Sequence, residues 1–271
     1  MPKITRVFML LILTIFSCCC CNISHNSSSK KQTVTIAGST SVMPFTEKLA
    51  EHFMIDHPEF IIDVQGGGST AGIQACMNNT VNIGMSSRQL KEAEMVLNEI
   101  VICYDGVIIV AHPQNPIKDL SLKQVRDIFN GKIKNWKDLG WVNRRIDAVS
   151  REEGSGTRGS FEELVMGSED IDDGIMVQDS NGSVKEVIAT DPYAIGYISL
   201  GLVDSNVKAI SVDGIEPNLK NIKNKKYKVI RPFIFLSKER LQEDSKTFVD
   251  YVLSNDGQKI LIKEGLISIY D

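Results

Sequence analysis

An α/β fold with largely parallel sheets is what the chain predicts from Thr33 onward, and two observations carry that reading. Short runs of β-branched and aromatic residues alternate with stretches whose apolar residues recur at helical spacing, the pattern of strands joined through crossover helices. Glycine- and hydroxyl-rich turns recur where a strand run gives way to a helical one, as βα connections require. The length of 271 residues allows a sizeable core in one large domain or two small ones.

The elements follow in order. Val34 to Ala37 reads as a strand, and Val42, Phe45, Leu49 and Phe53 mark a helix that ends before Pro58. Phe60 to Val64 is a second strand, and after a glycine run Ile73 to Met77 begins a second helix. Ile100 to Ala111 is a long β-like run, broken by His112, Pro113, Asn115 and Pro116. Ser121 can cap a helix through Phe129 that Gly131 closes, and Ile146 to Val149 makes another strand. Ile195 to Leu200 is a further strand, the Lys-rich residues 220–228 read as a solvated loop, and Val229 to Leu236 with a helix from Glu239 to Leu253 closes the chain.

Hydrophobic content of 42% and charged content of 24% are those of an ordinary globular protein. The formal net charge is −4, and −6 without Lys3 and Arg6, which argues against a nucleic-acid partner, since phosphate backbones are held by a basic face. Lys3 and Arg6 precede the apolar run Val7 to Phe16, too short to span a bilayer and suited to an export signal over residues 1–17. Ile15, Phe16, Ser17 and Cys18 resemble a loose lipobox, so Cys18 is expected as the lipidated first residue, with 18–32 a flexible tether. Cys19, Cys20 and Cys21 leave the processed cysteine open. Cys76 and Cys103 are two buried thiols or one disulfide.

Three turns stand out: Gly38-Ser39-Thr40-Ser41, Gly66-Gly67-Gly68-Ser69-Thr70 and Gly154-Ser155-Gly156-Thr157. The first turn of a helix has unpaired N–H donors and the positive end of the macrodipole, glycine admits an oxyanion, and Ser or Thr adds a donor. Any one of them is an ordinary capped bend; three after strands fall where open α/β sheets bind ligands. Arg151 lies two residues past the expected strand Ile146 to Val149 and can fork onto an anion, and Arg88 in Ser86-Ser87-Arg88 is a second candidate. Gly154 to Gly159 formally matches a dinucleotide fingerprint, a weak signal alone. His25, His52, His57 and His112 are scattered, so no catalytic base, metal or cofactor is expected, and no enzyme activity.

These motifs resemble the phosphate-binding proteins of phosphate-specific ABC transporters, from Val34 to the C-terminus. The resemblance rests on Ala37-Gly38-Ser39-Thr40-Ser41-Val42, Gly66-Gly67-Gly68-Ser69-Thr70-Ala71-Gly72-Ile73, Ile83-Gly84-Met85-Ser86-Ser87-Arg88 and Arg151-Glu152-Glu153-Gly154-Ser155-Gly156-Thr157-Arg158. Residues 125–136 and Ile195-Gly196-Tyr197-Ile198-Ser199 add to it. It implies the type II periplasmic-binding-protein fold: two lobes of mixed sheets flanked by helices and joined by two hinge strands, near residues 111–115 and 228–232. Lobe I would be 33–111 plus 231–271 and lobe II 112–230.

The implied function is capture of inorganic phosphate outside the cytoplasm by a lipid-anchored monomer, with delivery to an ABC permease. The implied ligand set is Ser39, Thr40, Ser41, Ser69, Thr70, Ser87, Arg88, Arg151, Ser155, Gly156 and Thr157. One departure stands out: many relatives have an aspartate at the position of Ser87, a carboxylate that accepts the proton of hydrogen phosphate. Glu153 and Asp105 are candidate substitutes, and Glu153 alternatively orients Arg151. Other readings are a protein for sulfate, molybdate or tungstate, and a lipid-anchored adhesin on the same scaffold.

Overall fold

A computed structural model describes residues 31–271. The export signal, Cys18 and most of the tether lie outside the described residues, and no described helix is long and apolar enough to cross a membrane.

Strand β1 (Gln32–Gly38) leads into helix α1 (Met43–Asp56), whose buried stripe is Phe45, Thr46, Leu49, Ala50 and Phe53. That spacing puts one apolar face on the sheet, and Phe53 meets Phe248 edge-on at 5.3 Å. Then come β2 (Phe60–Gln65), α2 (Ser69–Met77) and β3 (Ile83–Ser86), and β1 pairs in parallel with both β2 and β3. Helix α2 starts at Ser69 rather than near Ile73, because Gly68 at φ 89° turns the chain directly into it, a backbone angle that favours glycine.

Strand β4 (Asn98–Ala111) is long because it serves two sets of partners. Its first part pairs antiparallel with β11 (Ile230–Ser237), from Asn98↔Ser237 to Gly106↔Ile230, and β11 in turn pairs with β3. Its second part, Val107 to Ala111, pairs antiparallel with β8 (Ala194–Ser199). Parallel strands β8, β6 (Asp147–Arg151) and β7 (Met176–Gln178) complete the order β2-β1-β3-β11-β4-β8-β6-β7, with β9 (Lys208–Ala209) on β4 and a separate pair of β5 (Asp119–Leu120) and β10 (Ser211–Val212). Arg151 is therefore the last residue of β6, not a residue beyond it. Helix α3 (Leu122–Phe129) carries the expected Ser121 cap, which accepts the Gln124 N–H at 3.1 Å.

Two large hydrophobic cores result, with a smaller cluster of Ile73, Cys76, Leu90, Leu97, Ile234 and Leu236 beside the first. One gathers Val34 to Cys103 with Phe233 to Leu266, around Phe45, Phe53, Phe235 and Phe248. The other gathers Val107 to Val229, around Phe129, Trp136, Phe161 and Tyr197, and takes in Ile267. The passage along β4 from the first core to the second falls at Gly106–Val107, since Val107 to Ala111 belong to the second core. The return passage lies between Val229 and Phe233. Residues 220–228 are not simply a solvated loop: they hold most of a short helix, α6 (Leu219–Lys223), after α4 (Gly156–Phe161) and α5 (Asn181–Thr190). Tyr227 there is buried and donates to the Val107 carbonyl at 2.8 Å. Among the described residues, Cys76 and Cys103 are separate, buried free thiols.

Candidate functional site

The three glycine-hydroxyl turns meet. The first joins β1 to α1, the second opens α2, and the third joins β6 to α4, so each stands at the carboxyl end of a strand. Ser41 Oγ lies 2.7 Å from Thr157 Oγ1, and the Thr70 N–H donates to the Gly154 carbonyl at 3.0 Å. Ser39 donates its hydroxyl to Ser87 Oγ at 2.8 Å, and the Ser87 N–H donates to Ser69 Oγ at 3.1 Å. Ser39, Ser41, Ser69, Ser87 and Thr157 are all buried. Hydroxyls that far from water need partners, and here they find them in one another across the two cores.

Gly156 shows how close the approach is. A Cβ on it would sit 2.2 Å from Ser69 Oγ and 2.5 Å from Ser87 Oγ, so only glycine lets the third turn reach those hydroxyls. Ser155 is the α4 N-cap and accepts the Arg158 N–H at 3.2 Å. Three helix starts around one point also present first-turn N–H groups, which no intrahelical carbonyl satisfies.

Arg151 is 1% exposed. Its Nε and Nη2 fork onto Glu152 at 3.0 and 2.9 Å, and Nη2 also donates to Thr40 Oγ1 at 3.2 Å and the Asp179 carbonyl at 2.9 Å. Its Nη1 is buried and has no hydrogen-bond partner among the described residues. A guanidinium nitrogen out of water and unpaired is costly, and an anion is the group that removes the cost. Glu152, not Glu153, orients Arg151; Glu153 is exposed. Tyr197 backs the arginine, its oxygen accepting the Arg151 N–H at 3.3 Å while its ring stacks on Phe161 at 4.0 Å. Burial pushes that phenol up to about 12.

Arg88 lies beside this cluster with its charge already matched. Nη1 and Nη2 fork onto Glu94 at 2.7 and 2.9 Å, Nη1 reaches the Gln89 carbonyl, and Nη2 lies 3.3 Å from Thr70 Oγ1. The hydrogen bond from Arg88 holds the Glu94 carboxyl below the usual carboxylate range. Asp105, expected as a proton acceptor, is fully committed: Oδ2 receives Arg231 Nε and Nη2 at 3.0 and 2.8 Å, and Oδ1 receives Ser199 Oγ and the Leu200 N–H. Burial still pushes its carboxyl up, against the pull of Arg231.

Two buried residues near the site were not singled out from sequence. Asn181 donates Nδ2 to Ser41 Oγ at 2.8 Å, and Arg231 reaches Ser87. Arg231 did leave a signal: it and Asp105 are charged residues inside the apolar runs Ile230 to Leu236 and Val101 to Ala111, and such charges need each other. Asn181, one of several polar residues after Gln178, left none.

Residues 24–256 match the family model described as a PBP superfamily domain. The chain is 34% identical over 245 residues to the phosphate-binding protein PstS of Bacillus subtilis, covering 88% of this chain and 81% of that one. It is 29% identical to the phosphate-binding protein PstS of Borreliella burgdorferi over 254 residues, 88% of this chain and 91% of that one. Among solved structures it is similar to a protein from Clostridium perfringens, described as a phosphate ABC transporter substrate-binding protein and holding bound phosphate. That match has a TM-score of 0.85 and 44% identity and covers 88% of this chain and all of the other. An ABC-type phosphate transport receptor from Vibrio cholerae matches with a TM-score of 0.72 and 37% identity, over 86% and 99% of the two chains.

Proposed function

The chain belongs to the PBP superfamily and, within it, to the phosphate-binding proteins of PstS type, and from that premise we propose that it binds inorganic phosphate outside the cytoplasm and delivers it to an ABC permease. The observation that carries the reading is the unpartnered Arg151 Nη1, buried beside hydroxyls contributed by both cores. Phosphate there receives one charge-assisted contact from Arg151 and neutral ones from Thr40, Ser41, Ser69, Thr70, Ser87 and Thr157, while the Ser39 hydroxyl is committed to Ser87. Charge-assisted bonds of this kind are the ones strong enough to offset dehydration of the ion.

The two cores act as lobes. Only their closed arrangement offers donors from both sides, so phosphate shifts the population toward closure and the permease reads the closed form. The passages at Gly106–Val107 and between Val229 and Phe233 are the hinges. Lipid attachment at Cys18 holds the monomer at the membrane; mass spectrometry of the membrane-extracted protein should find an acylated Cys18 as its first residue.

Calorimetric titration of the anion-stripped protein tests the central claim, with inorganic phosphate and separately with sulfate at matched pH and salt. Tight phosphate binding is expected. Silence toward phosphate, or tighter binding of sulfate, overturns the assignment.

A further inference from the structure

Arg231 stands on the strand that passes between the cores, 1% exposed, with two nitrogens on Asp105. Its third nitrogen, Nη1, lies 3.3 Å from Ser87 Oγ and 3.5 Å from the Ser87 carbonyl. A hydroxyl has two acceptor lone pairs and one hydrogen to give. Ser87 Oγ already receives the Ser39 hydroxyl at 2.8 Å, so the Arg231 contact fills its second lone pair. The Ser87 hydrogen is then left to point toward Ser69 Oγ at 3.4 Å or, on the phosphate reading, to the anion.

The other end of the same ion pair reaches the second core. Asp105 Oδ1 holds the Ser199 hydroxyl at 2.9 Å, the Ser199 N–H donates to Asn181 Oδ1 at 3.2 Å, and Asn181 Nδ2 donates to Ser41 Oγ. Ser41 closes the circuit, its N–H donating to Ser39 Oγ at 3.2 Å. Every side chain in this circuit is at most 1% exposed. Hydrogen-bond directions in such a dry ring are mutually fixed, and no member turns without breaking a bond.

On the phosphate reading above, we propose that Arg231 is a positioning residue for the anion: it fixes the Ser87 hydroxyl as a donor and, through Asp105, ties that donor to the passage between the cores. The Arg151 cation supports the placement. Burial lowers the Arg231 guanidinium below its ordinary range and the charge of Arg151 adds to that, as two cations facing one polar cluster should do. An anion between them relieves the repulsion.

The test is calorimetric titration with inorganic phosphate of the anion-stripped wild type and of variants. Arg231→Met alone leaves Asp105 buried and unpaired and invites misfolding, so the decisive protein is Arg231→Met with Asp105→Leu. Replacing a buried pair by apolar residues of similar size commonly keeps the fold, and a cooperative thermal transition checks that it does. The double variant should bind phosphate about 10- to 100-fold more weakly than wild type, the range for losing a bond to a charged group.

Because Arg231 acts through Ser87, adding Ser87→Ala to the double variant should cost less than about twofold more, while Ser87→Ala in the wild type should cost about tenfold. Arg231→Lys with Asp105 intact should recover at least about threefold over the double variant, its ammonium donating to Ser87 without the fork. A folded double variant with wild-type affinity, or an additive loss on removing Ser87, overturns the inference alone. A wild type silent toward phosphate overturns the functional reading and this inference with it. Should the double variant not fold, Ser87→Ala decides: unchanged phosphate affinity in that folded protein overturns the proposal, because Arg231 acts through the Ser87 hydroxyl.

Discussion

Arg151 and Arg88 are built alike and end differently. Each is buried, each forks onto a glutamate, and each reaches a threonine in a first-core turn, Thr40 for one and Thr70 for the other. Glu94 is nearly as buried as Arg88, with side chains 10% and 8% exposed, and both terminal nitrogens of Arg88 are engaged. Glu152 is 32% exposed, so part of its charge is spent on water, and Arg151 keeps Nη1 without a partner. On the proposed reading Arg151 is the ligand group, because its partners leave a terminal nitrogen over, and Arg88, whose terminal nitrogens are both taken, is structural.

The sharpest way to break this contrast is Arg151→Ala. Phosphate affinity by calorimetry should fall at least about 100-fold, on the order of 3 kcal/mol. Arg88→Met should do the reverse: it strands a buried Glu94, so unfolding free energy in urea should drop by about 3 kcal/mol while phosphate affinity moves less than about threefold. Equal effects of the two substitutions on binding would erase the distinction.

Gly156→Ala should weaken phosphate binding by about tenfold, on the order of 1.4 kcal/mol, since its methyl meets the Ser69 and Ser87 hydroxyls before the turns do. The smallest effect is one of pH. Arg88 depresses the Glu94 carboxyl in the folded state, so the stability this adds is complete above the ordinary glutamate range, about pH 4.3, and is lost as pH falls through the lowered folded value. The stability gap between wild type and Glu94→Gln should therefore shrink under acid titration; a gap that widens toward low pH would mean the pair is not ionised.

Much of the fold was legible because its signals are local. Strand runs, the Ser121 cap and the glycine turns each follow from a few adjacent residues, and the recurrence of the turns pointed to one shared site. Partner choice was not legible, because it depends on which side chain arrives from elsewhere. Arg151 and Arg88 are both anion candidates in sequence, and only the fold shows that Glu94 engages both terminal nitrogens of Arg88. Glu152 was passed over for its neighbour Glu153 because adjacent residues in an irregular turn have no periodicity to tell inward from outward. An unbroken strand carries the chain from the first core to the second at Gly106, with no local break there of the kind that the prolines after Ala111 make.

The position of β11 between β3 and β4 sets an order in time. All but one of the second core's buried apolar side chains, the exception being Ile267, lie between Val107 and Val229, a single uninterrupted stretch. The first core needs Phe233 to Leu266 as well as residues near the start of the chain, and its sheet has a gap one strand wide until Ile230–Ser237 arrives. During synthesis, where earlier segments emerge first, the middle of the chain can therefore consolidate while the beginning waits for the end. A chain cut short before Ile230 would keep a nearly complete second core beside an unfinished first one, with the edges of β3 and β4 open to wrong partners.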